Sequence, residues 1–142
     1  MPRDQKSRVA KGRWTVPVPS ETGLIVVVDD DDSVREMLCE LLEMAGFKAH
    51  GCSSGAEGLK AARELHPAAI TLDLHMPGMD GVEVLDRLTD DEVTSSLPVV
   101  VVSAYAQDPR VKGRGQVKAI VQKPFDVEEL FSKVRWAANG NG

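Results

Sequence analysis

Long hydrophobic runs are missing from this chain. The longest uninterrupted apolar stretch, LIVVV from Leu24 to Val28, has five residues. A membrane-crossing helix needs about 20, so none is expected. The basic N-terminus is not followed by an apolar segment, which excludes an ordinary secretory signal. Cysteine is scarce: Cys39 and Cys52 have neither disulfide-type nor metal-type spacing. Cys39 falls on the apolar face of an expected helix, where a buried thiol is predicted. Repeats and low-complexity tracts are also lacking. These absences leave a soluble chain, read as cytoplasmic, whose 142 residues suit one domain with a real core.

Charge is unevenly spread. The net charge is −5, yet residues 1–13 hold Arg3, Lys6, Arg8, Lys11 and Arg13 against Asp4, a net of +4, so the remainder carries −9. Residues 1–22 are polar and basic, with three prolines and no periodic face. They are expected to form a disordered leader. A folded unit is expected over 23–139, with a short tail over 140–142.

After Gly23 the pattern becomes regular. LIVVV reads as a strand buried on both faces. In DDSVREMLCELLEMAG the apolar residues follow helical spacing, with Asp31 or Asp32 as the cap and Gly46 at the end. FKAHGC is a weaker strand. SGAEGLKAARELH is a helix stopped by Pro67. AAITLD is a strand, DGVEVLDRLTD a helix, PVVVVS and KAIVQ strands, and FDVEELFSKVRWAA a final helix with Asp126 and Glu129 as an expected capping box. This alternation predicts a doubly wound α/β fold, a five-stranded parallel sheet in the order 2-1-3-4-5. The segment AYAQDPRVKGRGQVK contains Pro109, Gly113 and Gly115. Each glycine costs a helix interior about 1 kcal/mol, so the fourth helix is expected to be short, frayed or absent.

In a parallel sheet all strands end at one edge. Asp29 and Asp30 follow strand 1, Asp73 ends strand 3, Ser103 ends strand 4 and Lys123 follows strand 5. Strands 1 and 3 are adjacent in the expected order. Three carboxylates therefore meet at the switch point, where open α/β sheets bind ligands. Such crowding calls for a cation, and an open, all-oxygen, acidic site suits Mg²⁺. A small anion such as phosphate fits beside it. Ser103 offers a hydroxyl and Lys123 an ammonium to phosphoryl oxygens. An aspartate can be the nucleophile, giving an acyl phosphate. Each residue alone has a plainer reading: a helix cap for the aspartates, a turn for Ser103, surface for Lys123, a loop for His75. Their coincidence at four strand ends points to metal-assisted phosphoryl transfer onto a carboxylate.

Over residues 23–138 the sequence resembles the receiver domain of bacterial two-component response regulators. VVVDDDDSVREML is similar to the family's first strand and acidic pair, and TLDLHMPGMDG to its phosphoacceptor motif. VVVVSA and VQKPF match the places of its hydroxyl residue and its lysine. The resemblance implies a flavodoxin-like fold with Asp73 as the phosphorylated residue, assisted by Ser103 and Lys123. It implies Mg²⁺ held by Asp29, Asp30, Asp73 and the backbone carbonyl of His75, and a cis bond before Pro124. It also implies a sensor histidine kinase or histidine phosphotransfer protein as donor and a downstream protein target, with no direct nucleic-acid or membrane binding. Such a domain is not an enzyme in the usual sense; it catalyses only its own phosphorylation and dephosphorylation. About four residues follow the last helix, which suits either a chemotaxis-type stand-alone regulator or a receiver cut from a longer chain.

Two departures from the family pattern concern output. Ile120 stands where many receivers carry Tyr or Phe, and it is expected to stay buried in both states. The glycine-broken segment 104–118 is expected to offer a basic face through Arg110, Lys112, Arg114 and Lys118. By resemblance, His75 and Tyr105 flank the path of attacking water, and bulky Tyr105 is expected to screen the phosphoryl group. Two rival readings remain at this point. One is a haloacid-dehalogenase-like phosphohydrolase with Asp29 as nucleophile. The other is a pseudo-receiver that binds partners without phosphorylation.

Overall fold

A computed structural model describes residues 23–105 and 107–139. The leader and tail expected over 1–22 and 140–142 lie outside the described residues. Runs of β-branched residues make the central strands β1 (Leu24–Val28), β3 (Ala69–Leu72) and β4 (Val99–Ser103), which are almost wholly buried. The edges are β2 (Lys48–Cys52) and β5 (Val117–Gln122), and all neighbours pair in parallel in the order β2-β1-β3-β4-β5. The polar character of β2 follows from its place: Lys48, His50 and Gly51 are exposed on an edge strand.

Among the described residues four helices cover the sheet: α1 (Asp32–Met44), α2 (Gly55–Leu65), α3 (Gly81–Asp90) and α4 (Val127–Ala138). Side chains alternate along each strand, so the core divides in two. Val26, Val28, Ile70, Leu72, Val99 and Val101 pack with α2 and α3. Ile25, Val27, Val100, Val102 and Val121 pack with α1 and α4. Each helix begins on a side-chain cap. Asp31 accepts from the Val34 N–H, Ser54 from Glu57, Asp80 from Glu83 and Asp126 from Glu128. Such a cap contributes about 1 kcal/mol.

Three expectations need correction here. The capping box foreseen at Asp126 and Glu129 does not form, because Glu129 turns instead to Lys133 at 2.7 Å. A comparable arrangement stands at α2, where Glu57 accepts from the N–H and the hydroxyl of Ser53 while Ser54 caps Glu57. Cys39 is only half-buried; the buried thiol is Cys52, which burial pushes up to about 11. Ile120 is likewise partly rather than fully buried, since it lies on an edge strand, and among the described residues no helix joins β4 to β5 beside it.

Among the described residues no helix joins β4 to β5. The segment instead runs as successive turns, with hydrogen bonds from Asp108 N–H to Tyr105 O, Val111 to Asp108, Arg114 to Val111 and Val117 to Arg114. Buried Val111 pins it to the α2–α3 side of the core. The basic face expected here is partly spent internally. Arg110 pairs with Asp108 at 2.6 Å, and Arg114 with Asp86 on α3 at 2.8 Å. Gln116 adds a polar clasp, donating to the Thr94 and Leu97 carbonyls and accepting from the Thr89 hydroxyl.

Candidate functional site

The five residues singled out at the strand ends meet at one edge of the sheet, and backbone bonds hold three of them there. The Asp29 N–H donates to Cys52 O, Asp73 to Val28 O and Lys123 to Ser103 O, at 3.0 to 3.1 Å. These bonds continue the ladders one residue past β1, β3 and β5, so the side chains project at the sheet mouth rather than along solvent. The Lys123–Pro124 bond is cis. Behind Asp73 the first residue of α3 comes very close. The Gly81 N–H donates to Leu74 O at 2.9 Å, and a Cβ at Gly81 would lie 2.4 Å from the Asp73 carbonyl oxygen. Only glycine permits that approach.

The run of four aspartates separates into four different roles. Asp29 is 1% exposed; its Oδ2 accepts from Lys123 Nζ at 2.8 Å and its Oδ1 from the Asp31 N–H at 2.9 Å. Asp31 caps α1. Asp32 pairs with Arg35, whose other nitrogen donates to the Asp29 carbonyl at 3.0 Å. Asp30 is exposed, and its carboxylate makes no hydrogen bond or ion pair among the described residues.

Asp73 sits between opposing influences. Lys123 Nζ lies 3.7 Å from its Oδ2, and the His75 N–H donates to its Oδ1 at 3.4 Å. Burial pushes its carboxyl above the ordinary range; Lys123 pulls it down, Asp29 raises it, and the His75 N–H and Ser103 hydroxyl lower it, with burial prevailing. Ser103 is fully buried, and its Oγ accepts from the Tyr105 N–H at 3.1 Å. Tyr105 is about half exposed, yet it does not simply face solvent. Its ring stacks on His75 with centroids 3.8 Å apart.

Carboxylate oxygens of Asp29, Asp30 and Asp73 lie within 4.8 Å of one another. An all-oxygen, acidic donor set with one side open at Asp30 fits a hard divalent cation. By contrast, Asp29 is poorly placed as a nucleophile, since both its oxygens are engaged and it is almost wholly buried.

Comparison with known proteins agrees with this fold. A family model described as the response regulator receiver domain matches residues 25–135. The polar-differentiation response regulator DivK of Brucella abortus is 31% identical over 117 residues, covering 80% of this chain and 94% of that one. The DNA-binding dual master transcriptional regulator RpaA of Synechocystis sp. is 36% identical over 113 residues, 78% of this chain. The chain spans about half the length of that relative, 47%. A solved structure of a sensor protein from Polaromonas sp. superposes with a TM-score of 0.77 at 30% identity, covering 84% of this chain and 98% of that one. The chain belongs to the response regulator receiver domain family, the signalling domain of two-component systems. No helix among the described residues is long and apolar enough to cross a membrane.

Two features of the site were not anticipated from sequence. Arg35 sits beneath the acidic run, and the i, i+3 spacing from Asp32 was the available signal. The His75–Tyr105 stack had no such signal, because the two residues meet only through the adjacency of β3 and β4.

Proposed function

We propose that this chain is the phosphoacceptor of a phosphorelay, with Asp73 as the phosphorylated residue. The observation that carries this is a largely buried aspartate at the mouth of a parallel sheet, with an ammonium 3.7 Å away and two further carboxylates close by. A Asp73 carboxylate oxygen attacks the phosphorus of a phosphohistidine donor. The new P–O bond forms as the P–N bond breaks, and the leaving imidazole nitrogen keeps the electron pair and takes up a proton. A carboxylate held above its ordinary range is a stronger nucleophile once ionised than a solvated one. Lys123 supplies positive charge to the phosphoryl oxygens, and Ser103 supplies a hydroxyl donor. Asp29, Asp30, Asp73 and the backbone carbonyl of His75 are the residues that would hold Mg²⁺. When bound, the ion neutralises the carboxylates and the phosphoryl charge.

The phosphodonor is a sensor histidine kinase or a histidine phosphotransfer protein, and the output is altered binding of a downstream protein in the cytoplasm. Movement at Ser103 reaches β5 through its carbonyl, which accepts from the Lys123 N–H. The test is to incubate the chain with a small phosphodonor such as acetyl phosphate, with Mg²⁺ or with chelator. One phosphoryl group per chain is expected with Mg²⁺ and little without it. No labelling at millimolar Mg²⁺ would instead favour the pseudo-receiver reading.

A further inference from the structure

The guanidinium of Arg35 bridges two elements at the edge of the acidic site. One nitrogen donates to the Asp29 carbonyl at 3.0 Å, and another binds Asp32 Oδ1 at 2.5 Å. Its side chain is only 17% exposed, although it belongs to the first turn of a surface helix. The reason lies in the edge strand. The stem of Arg35 runs against Gly51 of β2, where a Cβ would come within 3.2 Å of both its Cγ and its Cδ. One side chain thus joins the end of β1, the start of α1 and the face of β2.

Two consequences follow for Asp30. The Asp29 carbonyl belongs to the same rigid peptide plane as the Asp30 N–H. Holding that carbonyl fixes the direction in which Asp30 leaves the strand. Pairing with Asp32 also withdraws the neighbouring carboxylate as a competing ligand. With Asp29 on Lys123, Asp31 on its helix and Asp32 on Arg35, Asp30 is the one carboxylate of the run with no protein partner among the described residues, and it joins Asp29 and Asp73 in the acidic group.

We propose that Arg35 is a positioning residue for the cation site, seated by Gly51, and that it sets Mg²⁺ affinity through Asp30. This rests on the phosphoacceptor reading above. Simple electrostatics makes the opposite prediction, which renders the test decisive. A cation beside an acidic site weakens binding of a second cation, so if Arg35 acted only as a charge its removal would tighten Mg²⁺. If it positions Asp30, removal loosens Mg²⁺, by about tenfold, the low end for groups that orient metal ligands.

The experiment is calorimetric titration of the chain with Mg²⁺ for Arg35→Gln, Arg35→Lys and Gly51→Ala, with thermal unfolding in chelator to follow the apo fold. Arg35→Lys keeps the charge but loses the two-armed contact. Weakening by about tenfold in both arginine variants is expected. Gly51→Ala removes no site residue and presses its Cβ mainly on the Arg35 stem at 3.2 Å, with Cys39 Sγ next at 3.4 Å, so a smaller loss is expected. That loss should vanish in the Gly51→Ala/Arg35→Gln pair relative to Arg35→Gln alone. Half-saturating Mg²⁺ for labelling by acetyl phosphate should rise in step. Equal or tighter Mg²⁺ binding in Arg35→Gln, or in Arg35→Lys, overturns the role of Arg35 while leaving the proposed function standing. Should a variant at 35 fail to fold, unchanged Mg²⁺ affinity in Gly51→Ala overturns it. Absence of Mg²⁺ binding by the unaltered chain overturns both readings.

Discussion

Replacing Lys123 with Met removes the one ammonium among the described residues that lies between Asp29 and Asp73. Its Nζ is 2.8 Å from Asp29 and 3.7 Å from Asp73, which at an effective dielectric constant of about 20 gives gross attractions of roughly 6 and 4.5 kcal/mol. Desolvating the ammonium takes back much of this. Truncating one partner of a buried ion pair costs about 3–5 kcal/mol, because the remaining charge is stranded. The carboxylates stranded here are 1% and 8% exposed, which makes the penalty real; Lys123 keeps 19% exposure and Asp73 can take up a proton, which selects the lower end. A loss of about 3 kcal/mol is therefore expected in chelator, or roughly 10 °C in Tm for a domain of this size. Mg²⁺ should restore much of it, since a ligand at 100 times its Kd stabilises the folded state by about 2.7 kcal/mol. It should stabilise the variant more than the unaltered chain, where the ammonium competes for the same oxygens. Urea unfolding in chelator and in Mg²⁺ measures both quantities. A loss under about 1 kcal/mol in chelator, with no extra response to Mg²⁺, would refute the view of Lys123 as the resident counter-charge.

Other outcomes follow from single contacts. Gly81→Ala would drive a Cβ into the Asp73 carbonyl, costing about 1–3 kcal/mol of stability and slowing labelling of Asp73; full stability by chemical denaturation would contradict it. Thr71 Oγ1 is buried without a hydrogen-bond partner among the described residues, so Thr71→Val should stabilise the fold by about 1 kcal/mol, and destabilisation would reveal a partner. Hydrogen bonds from Arg110 hold the Asp108 carboxyl down at about 2. Its contribution to holding the turns after Gln107 is present above the ordinary aspartate range near 4 and is lost as pH falls toward 2, a loss that carboxyl NMR titration would detect and that Arg110→Ala would lessen, since the backbone N–H at 110 still donates to Asp108.

How far the sequence could be read depended on the kind of interaction. Apolar periodicity located the strands and helices to within a residue or two, because burial on a sheet or helix face imposes that period. LIVVV and PVVVVS were unambiguous for this reason, and their ends brought Asp29 and Ser103 to one edge. Polar pairing was harder. Any of several carboxylates satisfies a given donor, so the pairing of Glu129 with Lys133 rather than with the Asp126 N–H, or of Asp32 rather than Asp30 with Arg35, needed three dimensions. Edge positions misled as well. Ile120 and Cys39 carry the apolar character of core residues but stand where the neighbouring layer is incomplete. The basic segment after β4 was foreseen as irregular from its glycines. Its partners Asp80 and Asp86 on and before α3 lie more than twenty residues away in sequence and gave no local sign.

Where the phosphoryl group lands is measured most directly by reductive trapping. After labelling with acetyl phosphate and Mg²⁺, borohydride converts an acyl phosphate to the corresponding alcohol, so a phosphorylated aspartate becomes homoserine. Peptide mass mapping then finds its position. Homoserine at Asp73, and its absence from the Asp73→Asn variant, is the predicted result. Homoserine at Asp29, or undiminished labelling of Asp73→Asn, would contradict the assignment and return the chain to the phosphohydrolase reading.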